Sequence, residues 1–230
     1  MKIMSFNTLH CMDYKTKEID FGKFADEILL SEASFAGLNE IRGKGFLKGY
    51  TAQAKKLSRL TGMNYYFGEA IRVKGLAPYG NAFLSRFPIL SAETVKIPDP
   101  DKKTGQEKYE SRCIIKAKVH MGEVYTLLIT HMGLNKDERE NAVKLLLSLA
   151  EKEKCIIMGD FNCTPEKEEL KPLYKDFVSR GTDKFTFPSD KPDRKIDYIF
   201  TSKDIEVISE GVTENFVSDH LAVWIEIKEK

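Results

Sequence analysis

Polar residues able to bind a metal or move a proton recur in one kind of place along this sequence, at the ends of short apolar runs. Asn7 closes Lys2-Ile-Met-Ser-Phe6, Glu40 follows Phe35 to Leu38, and His131 ends Tyr125 to Thr130. Asp160 and Asn162 follow Cys155-Ile-Ile-Met158. Asp197 lies within Lys195 to Phe200, and Asp219-His220 precedes the run Leu221 to Ile227. Taken singly, each reads as a turn or cap residue, because a polar side chain after a strand usually serves the local backbone. As a set they offer carboxylates, amides and imidazoles. Mg²⁺ takes hard oxygen ligands, keeps several waters and needs only one or two carboxylates. Zinc would call for cysteines or clustered histidines. Histidines beside carboxylates suit proton transfer and anion contact near neutral pH. Burying any one of these groups without a partner costs about 1–3 kcal/mol.

The apolar runs read as strands and the segments between them as helices or turns. Phe21, Phe24, Ala25, Ile28 and Leu29 are spaced for a helix over 21–30. A second helix is expected over Tyr50 to Leu60, closed by Gly62. A third runs from Asn135 to Ala150, with Ala142, Leu145, Leu146 and Leu149 on one face. Thr164-Pro165 reads as a helix start, threonine capping and proline fitting the first turn. Further strands are expected at Tyr65 to Ala70, Asn81 to Leu84, Ile89 to Ile97, Arg112 to Val119 and Ile205 to Ser209. Pro98 to Lys108 reads as a solvated loop. Strands outnumber helices and many follow one another directly. Two packed sheets with helices outside fit this better than a doubly wound parallel sheet.

The chain has 230 residues, 42% hydrophobic and 31% charged, which suits one soluble domain over residues 1–230. Its net charge of +1 weighs against a protein that coats nucleic acid. Cys11, Cys113, Cys155 and Cys163 form no C-x-x-C pair, so free thiols are expected. No charged-then-apolar leader opens the chain, and no apolar stretch approaches the roughly 18 residues that cross a bilayer. A monomeric cytoplasmic protein without a transmembrane segment is the expectation.

Read in order, Met4-Ser-Phe-Asn7, Leu38-Asn-Glu40, Tyr79-Gly-Asn-Ala-Phe-Leu-Ser-Arg86, Thr130-His131, Gly159-Asp-Phe-Asn162, Ile196-Asp-Tyr-Ile-Phe200 and Ser218-Asp-His220 resemble the endonuclease/exonuclease/phosphatase superfamily. That family includes pancreatic-type deoxyribonuclease, abasic-site endonucleases, bacterial sphingomyelinases and inositol polyphosphate 5-phosphatases. The resemblance runs from Met4 to His220. It implies an α/β fold, a four-layered sandwich of two packed, mainly antiparallel sheets flanked by helices. It implies a Mg²⁺-dependent phosphoesterase, with Mn²⁺ as a substitute, acting on a phosphodiester or phosphomonoester of a small molecule or nucleic acid. By match, Glu40 is the main metal carboxylate, with Asn7 and Asp219 nearby. Asp160 orients or deprotonates water, Asn162 holds a phosphate oxygen, and Asp197 pairs with a charged His220. His131 matches an acid or phosphate ligand of the deoxyribonuclease and sphingomyelinase branches.

Asn81 and Arg112 are the substrate-binding candidates. Tyr79 and Arg86 read as structural or rim residues, His10 and His120 carry no motif support, and Trp224 reads as packing. Arg42, Lys44 and Lys48 could touch a phosphate backbone but read better as a solvated turn. The two rival functions are a structure-selective nuclease and a non-catalytic metal- or phosphate-binding member of the family.

Overall fold

A computed structural model of the protein describes residues 1–228. The first sheet is built from β1 (Lys2–Asn7), β2 (Phe35–Arg42), β3 (Asn64–Val73), β4 (Ala77–Ser85), β11 (Val207–Val212) and β12 (Val223–Ile227). The second is built from β5 (Ile89–Lys96), β6 (Cys113–Met121), β7 (Glu123–His131), β8 (Cys155–Asp160), β9 (Phe177–Arg180) and β10 (Asp197–Ser202). Their orders are β11-β12-β1-β2-β4-β3 and β5-β6-β7-β8-β10-β9. Only β1–β2 and β7–β8 pair parallel; the other neighbours are antiparallel.

Residues alternate between the two faces of each strand, so both faces need cover. Ile3, Phe35 and Phe83 of the first sheet meet Ile115, Ile129, Met158 and Ile199 of the second in the central core. The outer face of the first sheet packs under α1 (Phe21–Leu30) and α2 (Gln53–Thr61), through Met4, Phe6, Phe24, Ile28 and Leu57. The outer face of the second packs under α3 (Lys136–Leu149) and α4 (Lys171–Asp176), through Leu128, Ala142, Leu146, Ile157 and Leu173. The result is a four-layered α/β sandwich. Gly37 shows how closely the sheets approach: an added Cβ there would lie 2.6 Å from Met158 Sδ.

Side chains cap the N-termini of α1 and α3. Asp20 caps α1 by accepting from the Lys23 amide, and Asn135 with Glu138 forms a capping box at α3. Gly62 closes α2 at φ +71. The helix start expected at Thr164-Pro165 is displaced. Pro165 sits in a turn, and α4 begins only at Lys171, where Pro172 takes the first turn. Strand β9 has no counterpart in the expected elements, since four residues with little apolar pattern carry no periodic signal. The strand expected at Ile205 begins two residues later, at Val207. Among the described residues no helix is long and apolar enough to cross a membrane, and the four cysteines are free and buried.

Candidate functional site

Strand register lines up three of the site residues. Parallel pairing of β7 with β8 sets His131 beside Asp160, and antiparallel pairing of β8 with β10 sets Asp160 beside Asp197. In the other sheet, parallel pairing of β1 with β2 sets Asn7 beside Asn39. The register of β2 against β4 slips between Leu38 and Ile41. This bulge leaves Glu40 at φ +61 and turns it toward the second sheet. His10 (φ +51) and Asn162 (φ +50) also hold the left-handed conformation. An unusual backbone at three residues of one site marks a place where local comfort yields to geometry.

Asn39 ties the sheets together behind the site. Its amide nitrogen donates to Asn81 Oδ1 (2.9 Å) and to the Thr130 carbonyl (2.8 Å), and its oxygen accepts from the Asp160 amide (3.0 Å). In front of it, Asn7 Nδ2 lies 3.0 Å from Asp160 Oδ2 and 3.3 Å from Glu40 Oε1. Asp160 Oδ2 is also 3.5 Å from His131 Nε2 and 3.7 Å from His220 Nε2. Asp197 Oδ2 accepts from Thr186 Oγ1 at 2.6 Å and meets His220 Nδ1 at 2.8 Å. Arg112 Nη1 donates to His131 Nδ1 at 3.1 Å and lies 3.3 Å from Glu110. A cleft of about 640 Å³ is lined by Glu40, Arg112, His131, Asp160, Asn162 and Asp219, with His220 at its wall.

The electrostatics separate the two histidines. Burial works against the His220 charge, but Asp197 and Asp160 outweigh it and raise the pKa from 6.5 to about 10. For His131, burial and the Arg112 guanidinium act together and hold it well below 6.5. Arg112 donates to Nδ1, so the neutral ring carries its proton on Nε2, toward Asp160. Burial raises the Asp160 carboxyl, partly offset by His220 and reinforced by Asp197. Asp219 is likewise raised, chiefly by burial. Glu40 goes the other way: burial opposes its charge, but His10 and Asn7 beside it more than compensate.

These shifts have a sign in stability. In chelator-treated protein, His220 contributes fully below pH 6.5 and loses its contribution as pH rises from 6.5 toward about 10. His131 is opposite, because folding favours its neutral form, so stability falls as pH drops below 6.5. Imidazole resonances recorded at pH 7 on that protein are expected to show His220 charged and His131 neutral. A His220 resonance titrating near 6.5 would remove the charge from this arrangement.

Of the residues singled out in the sequence, Glu40, Arg112, His131, Asp160, Asn162, Asp219 and His220 line the cleft. Asn7 and Asp197 lie directly behind it, each bonded to a lining side chain. Asn81 is 2% exposed, and its amide is taken by Asn39 and the Cys113 carbonyl. His10 belongs to the site despite lacking a motif: its Nδ1 lies 3.2 Å from Glu40 Oε2, though out of line for a hydrogen bond. It reaches Glu40 from a left-handed turn three residues after Asn7, which no sequence pattern marks. Tyr79 also faces Glu40, whose charge together with burial raises the phenol. Lys167 and Arg194 also line the cleft and were not singled out, and Thr186 bonds Asp197 behind it. His120 is exposed at the far end of β6. Arg42 lies over the Tyr50 ring, and Lys44 and Lys48 are exposed.

Comparison with known proteins places this geometry. Curated proteins give no match to the sequence. Among solved structures, an endonuclease/exonuclease/phosphatase from Beutenbergia cavernae superposes with TM-score 0.81 at 18% identity, covering 99% of this chain and 71% of that one. A mannosyl-6-phosphatase of Bacteroides thetaiotaomicron gives 0.79 at 17% identity, covering all of both chains at 100%. The human Nocturnin catalytic domain gives 0.73 at 17%, covering 99% of this chain and 94% of that one. At these identities the likeness shows the fold. The sequence itself goes further, because residues 4–220 match the profile of one family across nearly the whole site: the chain belongs to the Endonuclease/Exonuclease/phosphatase family.

Proposed function

We propose that this protein is a Mg²⁺-dependent hydrolase of phosphate esters, with Mn²⁺ as a working substitute. The observation that supports it is the convergence of Glu40, His131, Asp160, Asp219 and His220 on one cleft from distant parts of the chain. The donors suit a hard divalent ion. Glu40 is held charged on its bulge, Asp219 adds a second carboxylate, and Asn7 donates its amide nitrogen to Glu40 and Asp160, which fixes both carboxylates in place. Cys163 lines the cleft, but burial pushes its thiol up to about 12, which leaves it a poor metal ligand. Glu40 and Asp219 would hold the ion, with Asn7 fixing Glu40 from behind, and the ion would supply Lewis-acid stabilisation of charge on a phosphoryl oxygen.

The protein's own groups do the rest. Asp160, buried and raised in pKa, orients the attacking water and accepts its proton. Charged His220 donates to the phosphoryl oxygen where negative charge grows, and Asp197 fixes its tautomer through Nδ1. Neutral His131 offers its Nε2 proton, and Arg112 both holds His131 and adds positive charge. Asn162 Nδ2 donates to the Met132 carbonyl at 2.9 Å and has a second amide hydrogen for a phosphate oxygen. Asn81 acts through Asn39, as a positioning residue. Four free, buried thiols suit a reducing compartment, the cytoplasm in this reading.

Chelation is expected to abolish turnover and Mg²⁺ titration to restore it. The substrates to assay are plasmid DNA, an abasic oligonucleotide, sphingomyelin, inositol phosphates and mannose 6-phosphate. Glu40→Gln should raise the Mg²⁺ concentration needed for half-activation by at least about tenfold, the range seen when groups supporting a metal are altered. Turnover unchanged in chelator would sink the metal mechanism. A nuclease is the second reading, favoured by the cations Arg112, Lys167 and Arg194 in the cleft, and the DNA arms separate it. Retention of Glu40, Asp160 and His220 argues against a non-catalytic binding module.

A further inference from the structure

We infer that the cleft carries a second anion subsite, built from Lys167 and Arg194, which takes a phosphate of the substrate other than the one cleaved. The inference rests on the phosphoesterase reading only for where the first phosphate lies. Each inner cation of the cleft has a carboxylate beside it. Arg112 has Glu110 at 3.3 Å, and His220 has Asp197 at 2.8 Å. Lys167 and Arg194 line the same cleft farther out, and both are exposed.

Among the described residues, Lys167 makes no side-chain ion pair. Among those same residues Arg194 pairs only with its sequence neighbour Asp193, at 2.9 Å, with side chains 53% and 66% exposed. Such an exposed pair holds its partners weakly and leaves the guanidinium's charge available.

The Arg194 guanidinium and the Lys167 backbone are held in place. The Arg194 guanidinium lies 5.1 Å over the Phe187 ring, and that ring packs 4.7 Å from the His220 ring. A continuous wall thus runs from the reacting centre to this arginine. Lys167 sits between two backbone bonds, its amide donating to the Thr164 carbonyl and its carbonyl accepting from the Leu170 amide. Its loop is anchored to α3 by the buried Arg139–Glu169 pair at 2.7 Å. An anchored guanidinium with an unpaired lysine on a fixed loop beyond the centre fits a doubly charged group, and phosphate carries that charge near neutral pH. The substrate class is therefore a molecule with two separate phosphate groups, either nucleotide or sugar.

Binding is measured by calorimetry in Mg²⁺ with paired probes: adenosine 3′,5′-bisphosphate against adenosine 5′-monophosphate, and glucose 1,6-bisphosphate against glucose 6-phosphate. The expected result is a preference of about tenfold or more for at least one bisphosphate, as a charge-assisted contact would give. The arm that shows it tells nucleotide from sugar. Lys167→Ala with Arg194→Ala should erase that preference while leaving monophosphate affinity and melting temperature unchanged. Equal affinity within both pairs, a preference that survives the double substitution, or no binding of any probe would overturn the subsite. Binding is scored apart from turnover. A protein that shows the preference but hydrolyses nothing would sink the phosphoesterase reading and leave the subsite standing.

Discussion

Replacing His220 by alanine is expected to lower kcat by about 10²–10⁴-fold, the range for a positioned proton donor or acceptor. The ring is 5% exposed, its Nδ1 meets Asp197, and its Nε2 faces Asp160 and the cleft. Its charge is made by those two carboxylates against the pull of burial. Removing it therefore strips the imidazolium from the place where phosphoryl charge grows. It also leaves Asp160 and Asp197 facing one another. A histidine that merely satisfied buried carboxylates would give a different result, with a lower melting temperature and near-normal kcat in the surviving folded protein. Measuring both on one preparation separates the two. Asp197→Asn should act in the same direction but more mildly, since it keeps the Thr186 and His220 contacts in shape while removing the charge. Wild-type kcat in His220→Ala on a verified substrate would remove this residue from the chemistry.

What the sequence made legible follows from how each feature is encoded. Runs such as Cys155 to Met158 are buried on both faces, so their apolar character is continuous and their ends are sharp. The polar residues at those ends stand out for the same reason, and these are the residues the register then aligns. The features that escaped are not written in local pattern. Strand β9 forms because β10 offers it an edge, not because Phe177-Val-Ser-Arg180 demands a strand. The Thr164-Pro165 signal was outweighed by the loop's tertiary anchors, Arg139 on Glu169 and Asn162 on Met132. His10 enters the site through a left-handed turn that no spacing rule announces. Arg194 and Lys167 lie on loops, and only three-dimensional packing shows which of many exposed cations face a cleft.

The glycine before Asp160 carries the largest expected effect on stability. Gly159 lies in β8 between β7 and β10, opposite Thr130 and Tyr198. Its φ of +145° belongs to a region that side chains rarely adopt, and an added Cβ would sit 1.8 Å from the Thr130 carbonyl oxygen. Neither strand can yield cheaply. Moving β7 breaks the His131–Asp160 register, and moving β8 breaks the Asn39 bond to the Asp160 amide. Gly159→Ala is therefore expected to cost about 4 kcal/mol or more, the size seen for overpacking joined to backbone strain. At this chain length that corresponds to a melting temperature lower by roughly 10 °C. Gly62→Ala is the matched control. It too holds a positive φ, +71°, but its Cβ would meet nothing within 4 Å. It should cost only the left-handed conformation, about 1–2 kcal/mol. If the two variants melted together, the clash with Thr130 would contribute nothing, and the close approach of β7 and β8 beneath the site would not be what demands a glycine at that position.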